Sequence, residues 1–456
     1  MSAAISSFYG LQTSLKGLLA QQRALDTTAH NIANASTAGY SRQEAVLAAS
    51  EALQISAGAV QQGAGAHLGS GVDVQAYRRI RDTFLDVQYR GQATKLGEWV
   101  ARSQGLDRAE LALAEPGENG INTQLAEFWS AWSNLAKAPN DPAAQQALLE
   151  QGATLASAFN TVADQMDTVA AQARAEYDDL VRPAGPGDPG GEITRIATEI
   201  AELNDTIKRF VTAGDTPNDL LDRRDLLVDQ LASLGQVSVT QLSTGSLQIA
   251  FGGNTTTPLV DDTSVNWSTA PTPGSWSPGG RLGGLQDMFM PGKVLDSLRS
   301  DLDAVAGALA GAVNGVLTAA GSPPFFSGTT ASTLSVDPAA RANPERLASP
   351  PGSAASDDTL ARQIAAMRDG AVDKAYRAFV ARTGSEVREA TRQEANAGAL
   401  TDAVESRRQS VSGVSLDEEM TNLVRFQRAY QASSRAMNTI DEMLDVLINR
   451  TGRVGL

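Results

Sequence analysis

Starting at Phe8, apolar side chains recur at alternating steps of three and four: Phe8, Leu11, Leu15, Leu18, Leu25, Ala29 and Ile32, with Gln22 the polar exception. Leu11, Leu18, Leu25 and Ile32 form an unbroken seven-residue repeat. A period of 3.5 leaves a narrow apolar seam that is best buried against another helix in a left-handed supercoil. The other end of the chain repeats the feature with Leu416, Leu423, Tyr430, Met437 and Leu444, flanked by Met420, Phe426, Ile440 and Leu447. Ser415 followed by "LDEE" places a capping hydroxyl and three carboxylates in the first turn, against orphan amides and the positive helix end. A single stripe of this kind is ordinary core in most helices. Here both stripes lie at termini, where chains fray, and both run long enough to favour coiled-coil packing. The two terminal helices are therefore expected to pair with each other or with copies in neighbouring subunits, with Phe8, Leu11, Leu15, Leu18, Leu25, Ile32, Leu416, Leu423, Tyr430, Met437, Leu444 and Leu447 as the assembly interface.

Past Ile32 the seam is lost. In "HNIANASTAGYSRQ", Asn34, Ser36, Thr37 and Gly39 compete for backbone hydrogen bonds or accept left-handed conformations, so the helix ends there and a new segment begins at Tyr40, Ser41 and Arg42.

Between the ends the period is mostly helical. "GVDVQAYRRI" alternates as a short strand would, and helical patterns cover Asp82 to about Ala114, Thr123 to Ala138, and a long run after "NDP". Trp129 and Trp132, three apart, are expected to anchor a helix contact. "PAGPGDPGG" contains a literal G-x-G-x-x-G at Gly185, Gly187 and Gly190, but no strand precedes it and its prolines oppose a phosphate cradle, so it reads as a turn between antiparallel helices. Two more helices fill Glu192 to Leu234. In the second, Leu220, Leu221, Leu227, Val228 and Leu231 share a face, while Asp219, Asp222, Arg223, Arg224, Asp225 and Asp229 occupy the rest; their carboxylates could hold a metal, but the interleaved arginines neutralise them and pairs such as Asp219 with Arg223 are routine, which favours a structural role. "GQVSVTQLSTGSLQIAFGG" is the best hairpin in the chain. Helical periodicity returns from Leu285 to about Ala319. The Pro-, Gly- and Ser-rich stretch from Ser322 to Gly352 promises little core and is expected to tolerate shortening, and helices resume near Asp357 with a break near Gly384.

Composition narrows the function. Aromatics make up 5% of the 456 residues, so the 42% hydrophobic fraction rests on Ala, Leu and Val, which suits helix on helix packing. A net charge of −15 repels phosphate backbones and anionic headgroups, and no apolar run approaches the length of a membrane span, so neither nucleic acid nor membrane insertion is expected. With no Cys, thiolate catalysis, disulfides and Cys-ligated zinc are excluded. His30 and His67 belong to no metal spacing, and neither a G-x-S-x-G elbow nor a Walker loop is present, so no catalytic, cofactor or metal site is expected and the chain reads as non-enzymatic. The N-terminus lacks the basic and apolar blocks of a cleaved signal peptide, which implies a cytosolic protein or export by another route.

The first helix running into "NIANASTAGYSRQ", together with "SGVSLDEEMTNLVRFQRAYQASSRAMNTIDEMLDVLIN", closely resembles the bacterial flagellar axial proteins. "GYSRQ", "RDTFLDVQYR" and "NDLLDRRDLLVDQLASLGQVSV" are similar to the members at the junction of hook and filament. Asn31, Asn34, Gly39, Tyr40, Ser41 and Arg42 carry the family motif. The resemblance implies a mainly α fold, with paired terminal coiled-coil helices, an elongated helical-bundle domain and a small β-hairpin region near 236–253. It implies residues 1–40 and 413–456 as the inner-tube domain and 41–321 with 358–412 as the middle domain. Residues 322–357 would be a short excursion or a reduced outer domain. It further implies a structural subunit exported through the flagellar type III channel, with no cofactor. The implied partners are further copies of itself, the hook protein, the second junction protein and an export chaperone, the last recognising Leu423, Tyr430, Met437 and Leu444. A hook protein or other axial subunit is the alternative within the family, though the extra "LLDRRDLLVDQL" helix argues against it. A secreted binding protein or effector is the alternative outside it.

Overall fold

In the computed structural model, all residues are described except 1–7, 56–65, 114, 116, 118, 119, 255, 355 and 447–456, so Leu447 lies outside the described residues. The fold is mainly α, as the periodicity requires.

The two ends of the chain come together. Helix α1 (Tyr9–Ala33) runs antiparallel to the last helix: Gly10 lies against Ile440, Gly17 against Ser433, and Asn31 reaches Glu419. The contact between the two helices within one chain runs beside the heptad seam rather than along it. The residues that α1 buries are Ala20, Ala24, Thr28 and Asn31, with Gly17 on the same side, whereas Leu11, Leu18, Leu25 and Ile32 are only half-buried. Small side chains let two helix axes approach closely, and the bulky leucines are then pushed to the flank of the contact. A ribbon of two antiparallel strands, β1 (Gln43–Ala49) and β4 (Val72–Arg79), is extended by the short pair β2 (Leu53–Ile55) and β3 (Ala66–Leu68). It lies along α1, where the Tyr9 hydroxyl donates to the carbonyls of Leu68 and Gly69.

The body is a helical bundle. Helix α2 (Thr83–Leu113) is followed by α3 (Ile121–Lys137) and by α4 (Pro142–Leu180), whose start is fixed by the Asp141 carboxylate accepting from Ala143 N with Pro142 behind it. Then come α5 (Glu192–Thr212) and α6 (Asn218–Leu234), and a four-stranded antiparallel sheet in sequential order: β5 (Val237–Gln241), β6 (Leu247–Phe251), β7 (Val260–Asp261) and β8 (Ser264–Val265). The first two strands are the expected hairpin. Asn204 of α5 ties the sheet to the helices, its amide donating to Leu247 O and Asp262 O and its oxygen accepting from Leu247 N. Helices α7 (Gly280–Phe289) and α8 (Val294–Ala319) complete this part. The stretch 280–319 is apolar enough by composition to cross a membrane, but it is two helices, and Leu298, Leu302, Leu309, Val313 and Leu317 of α8 are fully buried in the core. Helix α2 crosses α6 at Gly97, where a Cβ would overlap the Ser233 carbonyl.

Residues 322–357 hold the strand pair β9 (Phe326–Ser327) and β10 (Ser335–Val336), and helix α9 (Pro338–Ala342). The expectation of little core here is overturned. Phe325 and Phe326 both pack 5.5 Å from Phe128, and Phe325 lies 5.4 Å from Trp132, inside the aromatic centre of the bundle. Asn314 accepts from both of their amides and donates to Phe326 O, so the backbone is satisfied where it enters the core. Two adjacent phenylalanines outweigh the loop-like composition around them because each buries a large apolar area.

Helix α10 (Thr359–Ala365) precedes α11 (Ala371–Ser412), a single 42-residue helix that passes through Gly384 without the expected break. It runs antiparallel to α2, with Arg408 over the Tyr89 ring at one end and Arg102 paired with Glu386 further along. Helix α12 (Leu416–Asp445) then turns away after Gly413, capped by the Ser415 hydroxyl as the sequence implies.

Candidate assembly interface

Two apolar surfaces are left uncovered on the terminal helices. On α1, Phe8, Leu15 and Leu19 are exposed, and the half-buried Leu11, Leu18, Leu25 and Ile32 lie beside them. On α12, Leu416 is 53% exposed and Met420 54%, with Val424 one turn further on. Leu423, Tyr430, Met437 and Leu444 are half-buried along the contact with α1. Among its described residues α12 buries one side chain fully, and that side chain is a carboxylate, Glu419.

Glu419 belongs to a polar knot built by the family motif. Asn31, 1% exposed, uses its whole amide: Nδ2 donates to Gln43 O at 2.9 Å and to Glu419 Oε2 at 3.1 Å, and Oδ1 accepts from the Tyr40 hydroxyl at 2.8 Å and from Gln43 N at 3.0 Å. Tyr40 is held well above the usual phenol range, first by burial and then by the carboxylates of Asp219, Asp222 and Glu419, so it stays a donor. Arg42 places Nε 2.8 Å from Glu419 Oε1 and Nη1 2.7 Å from Glu418 Oε2. Its backbone N–H donates to Ser412 O and its carbonyl accepts from Ile80 N. Asn34 donates back to His30 O and ends α1, and Gly39, at φ +77°, turns the chain where a Cβ would sit 3.0 Å from Leu226. Ser41 N donates to Asp222 Oδ2. The motif is thus a crossing point of α1, β1, α6 and the α11–α12 turn.

The charged side of α6 is largely buried, and Asp222, Asp225 and Asp229 pair with arginines of other elements rather than with those of their own helix. Arg79 bridges Asp222 at 2.8 Å and Asp225 at 2.9 Å, Arg81 reaches Asp225 at 3.0 Å and chelates Asp86, and Arg90 and Arg408 both hold Asp229. All are largely buried between α2, α6 and α11. Asp219 pairs with His30 and Gln43, and Arg223 with Glu199, rather than with each other. Burial raises the Asp222 carboxyl above the ordinary range despite Ser41 N and Arg79. Burial also opposes ionisation of Asp225, but Arg81 and Arg79 outweigh it and hold that carboxyl below the range. Arg224 is pushed down to about 10, chiefly by burial, and remains cationic at neutral pH while donating to Asn204 Oδ1 and Gly245 O. These arginine partners were not singled out from the sequence, where Glu419 reads as a first-turn carboxylate. The available signal was the complementarity of the arginines in "YRRIRDTFLDVQYR" with the aspartates of "DLLDRRDLLVDQL".

The buried carboxylates Asp86, Asp222, Asp225 and Asp229 are each paired with an arginine, so the arrangement holds elements together. Among the described residues no group of three His, Asp or Glu side chains is placed to hold a metal ion. The segment with Gly185, Gly187 and Gly190 is the turn between α4 and α5, preceded by a helix, and Arg182 and Asp188 pair across it. Trp129 is buried and donates to Asp373, and Trp132 is buried beside Phe128 and Phe325, so both anchor helix contacts.

Comparison with known proteins covers the ends and the middle. The family described as Flagellar hook-associated protein FlgK helical domain matches residues 106–322. Flagellar basal body rod FlgEFG protein C-terminal matches 405–450, and Flagella basal body rod protein matches 11–40. Flagellar hook-associated protein 1 of Bacillus subtilis is 29% identical over 512 residues, 98% of this chain and 99% of that protein. The protein of the same name from Salmonella typhimurium is 33% identical over 242 residues, covering 52% of this chain and 40% of the relative. The solved flagellar hook junction protein FlgK from Burkholderia pseudomallei aligns with a TM-score of 0.43 at 22% identity, over 53% of this chain and 46% of that one.

Proposed function

Because the chain belongs to the flagellar hook-associated protein 1 family, we propose that it builds the junction of hook and filament by stacking its terminal helices against those of neighbouring copies. It is a structural subunit of the bacterial flagellum, an extracellular appendage, and assembles with other axial components. The observation that carries the stacking is the uncovered apolar surface of α1 and α12: Leu15, Leu19, Leu416, Met420 and Val424 are exposed at the ends of a strongly acidic chain, while small residues make the contact between the two helices. Burying such side chains against a second copy would contribute roughly 1.5 to 3 kcal/mol each. In this reading residues 1–40 and 413–456 form the inner tube, 41–321 with 358–412 the layer around it, and the chain has no catalytic role. The specific partners are further copies, the hook protein on one side and the second junction protein on the other. The chain would leave the cell through the flagellar type III channel, with an export chaperone covering Leu423, Tyr430, Met437 and Leu444 beforehand.

Complementation tests this. In cells lacking the gene, electron microscopy should show hooks without filaments, and the intact gene should restore them. Leu15→Asp with Leu19→Asp should fail to restore filaments, because each carboxylate would be stranded in an apolar contact. The purified variant should melt as the parent does, since both positions are exposed in the monomer. Restored filaments would refute the stacking surface, and missing hooks in the deletion strain would move the protein to another place in the axis.

A further inference from the structure

Glu419 is the one described residue of α12 that is fully buried, while the rest of the helix meets α1 through half-buried side chains. Glu419 is 2% exposed and enters between α1 and the chain that follows it, meeting Asn31 Nδ2 at 3.1 Å and Arg42 Nε at 2.8 Å. The remaining described side chains of α12 are half-buried or exposed along all its turns. The covalent connection to α11 is the short Gly413–Ser415 link, with Arg42 N bonded to Ser412 O beside it. A cleft of about 830 Å³ opens next to the link, lined by Gly39, Leu226, Gln409, Gly413 and Glu418.

We infer that Glu419, seated on Arg42 and Asn31, is a latch that decides whether α12 is docked on α1 or released from it. Release at the Gly413–Ser415 link frees the seam of Leu423, Tyr430, Met437 and Leu444 for another helix-binding surface. This deepens the reading above and rests on it only for the identity of what takes the seam; the latch itself is a property of the monomer. Once off α1, a lone amphipathic helix of this length is marginal in water, so release and unfolding of α12 coincide. A surface ion pair would contribute little, but an ion pair of a buried carboxylate leaves an uncompensated charge when it is broken. Glu418 supplies the internal control: it touches the same Arg42 but is exposed.

Hydrogen exchange of the full-length monomer tests the latch. Glu419→Gln should speed amide exchange across 416–445 by about ten-fold or more, leaving α2 to α11 at parental rates. Glu418→Gln should leave both unchanged. The second readout is brief trypsin treatment, in which cleavage at Arg425, Arg428 and Arg435 should quicken in Glu419→Gln alone. Parental rates in α12 of the Glu419→Gln chain would overturn the latch. Acceleration spread evenly through the helical body would overturn it too, since Glu419 would then be an ordinary stabilising group. Because neither readout involves assembly or a chaperone, failure of the latch is distinguishable from failure of the junction reading.

Discussion

Asp222 and Asp225 sit three residues apart on α6, bond the same Arg79 guanidinium, and have opposite responses to ionisation. Asp225 is held below the ordinary carboxylate range because Arg81 and Arg79 outweigh its burial. The unfolded chain binds that proton more tightly, so the stabilisation is fully present above about pH 4 and is lost as pH falls through the lower folded value. Asp222 is raised by burial, so the folded chain binds its proton more tightly and its contribution declines as pH rises from the ordinary value through the folded one. Asp225→Asn should therefore cost about 1.5 to 3 kcal/mol at neutral pH, by removing one of the two carboxylates held by Arg81 while Asp86 remains, and should flatten the acid limb of stability against pH. Asp222→Asn should cost about 1 kcal/mol, as its amide oxygen can still accept from Ser41 N and Arg79 keeps Asp225. Urea titrations of both variants between pH 3 and pH 7 check this, and equal losses would show that the two carboxylates are interchangeable.

Among the elements, the segment 322–357 is the one whose role inverts its composition. Its Pro, Gly and Ser content reads as a surface excursion, yet Phe325 and Phe326 enter the aromatic centre beside Phe128 and Trp132. Phe325→Ala should cost about 3 to 5 kcal/mol in denaturant unfolding, and deletion of 322–352 should abolish soluble expression. A stable deletion would show that α3 and α4 close the gap by themselves. At the opposite extreme, α12 carries a clear heptad but little buried surface in the monomer. Leu423→Asp with Leu444→Asp should abolish chaperone binding in calorimetry while the melt of the helical body stays parental, since that core does not include α12. Retained binding would place the chaperone elsewhere on the chain.

The whole molecule divides its chemistry by location. Apolar burial is concentrated in one core running from α2 through α8 and into α11. The base of the terminal helices is instead joined to that body by polar contacts: His30 and Gln43 with Asp219, Ser41 N with Asp222, and Arg42 N with Ser412 O. Directional bonds fix an orientation, whereas apolar packing mainly fixes a volume. The consequence is an axial pair set firmly at its root, whose leucines remain uncovered for another copy. If that division holds, raised salt should loosen the exposed pairs at the root, such as Arg42 with Glu418, before it affects the body.

Local physics was written in the sequence: the helices, the Ser415 and Asp141 caps, the hairpin at Val237 to Phe251, the two tryptophan anchors and the terminal heptads all follow from period and capping chemistry. The family resemblance was legible in the same short stretches. Partner choice was not. That α1 buries Ala20, Ala24 and Asn31 rather than its leucines depends on how closely α12 and the ribbon approach, and that the aspartates of α6 face arginines of β4 and α2 depends on segments over a hundred residues apart meeting in space. A one-dimensional pattern records which side chains want burial or charge; only the folded chain decides which of them meet, because the free energy of each contact belongs to a pair and not to a position.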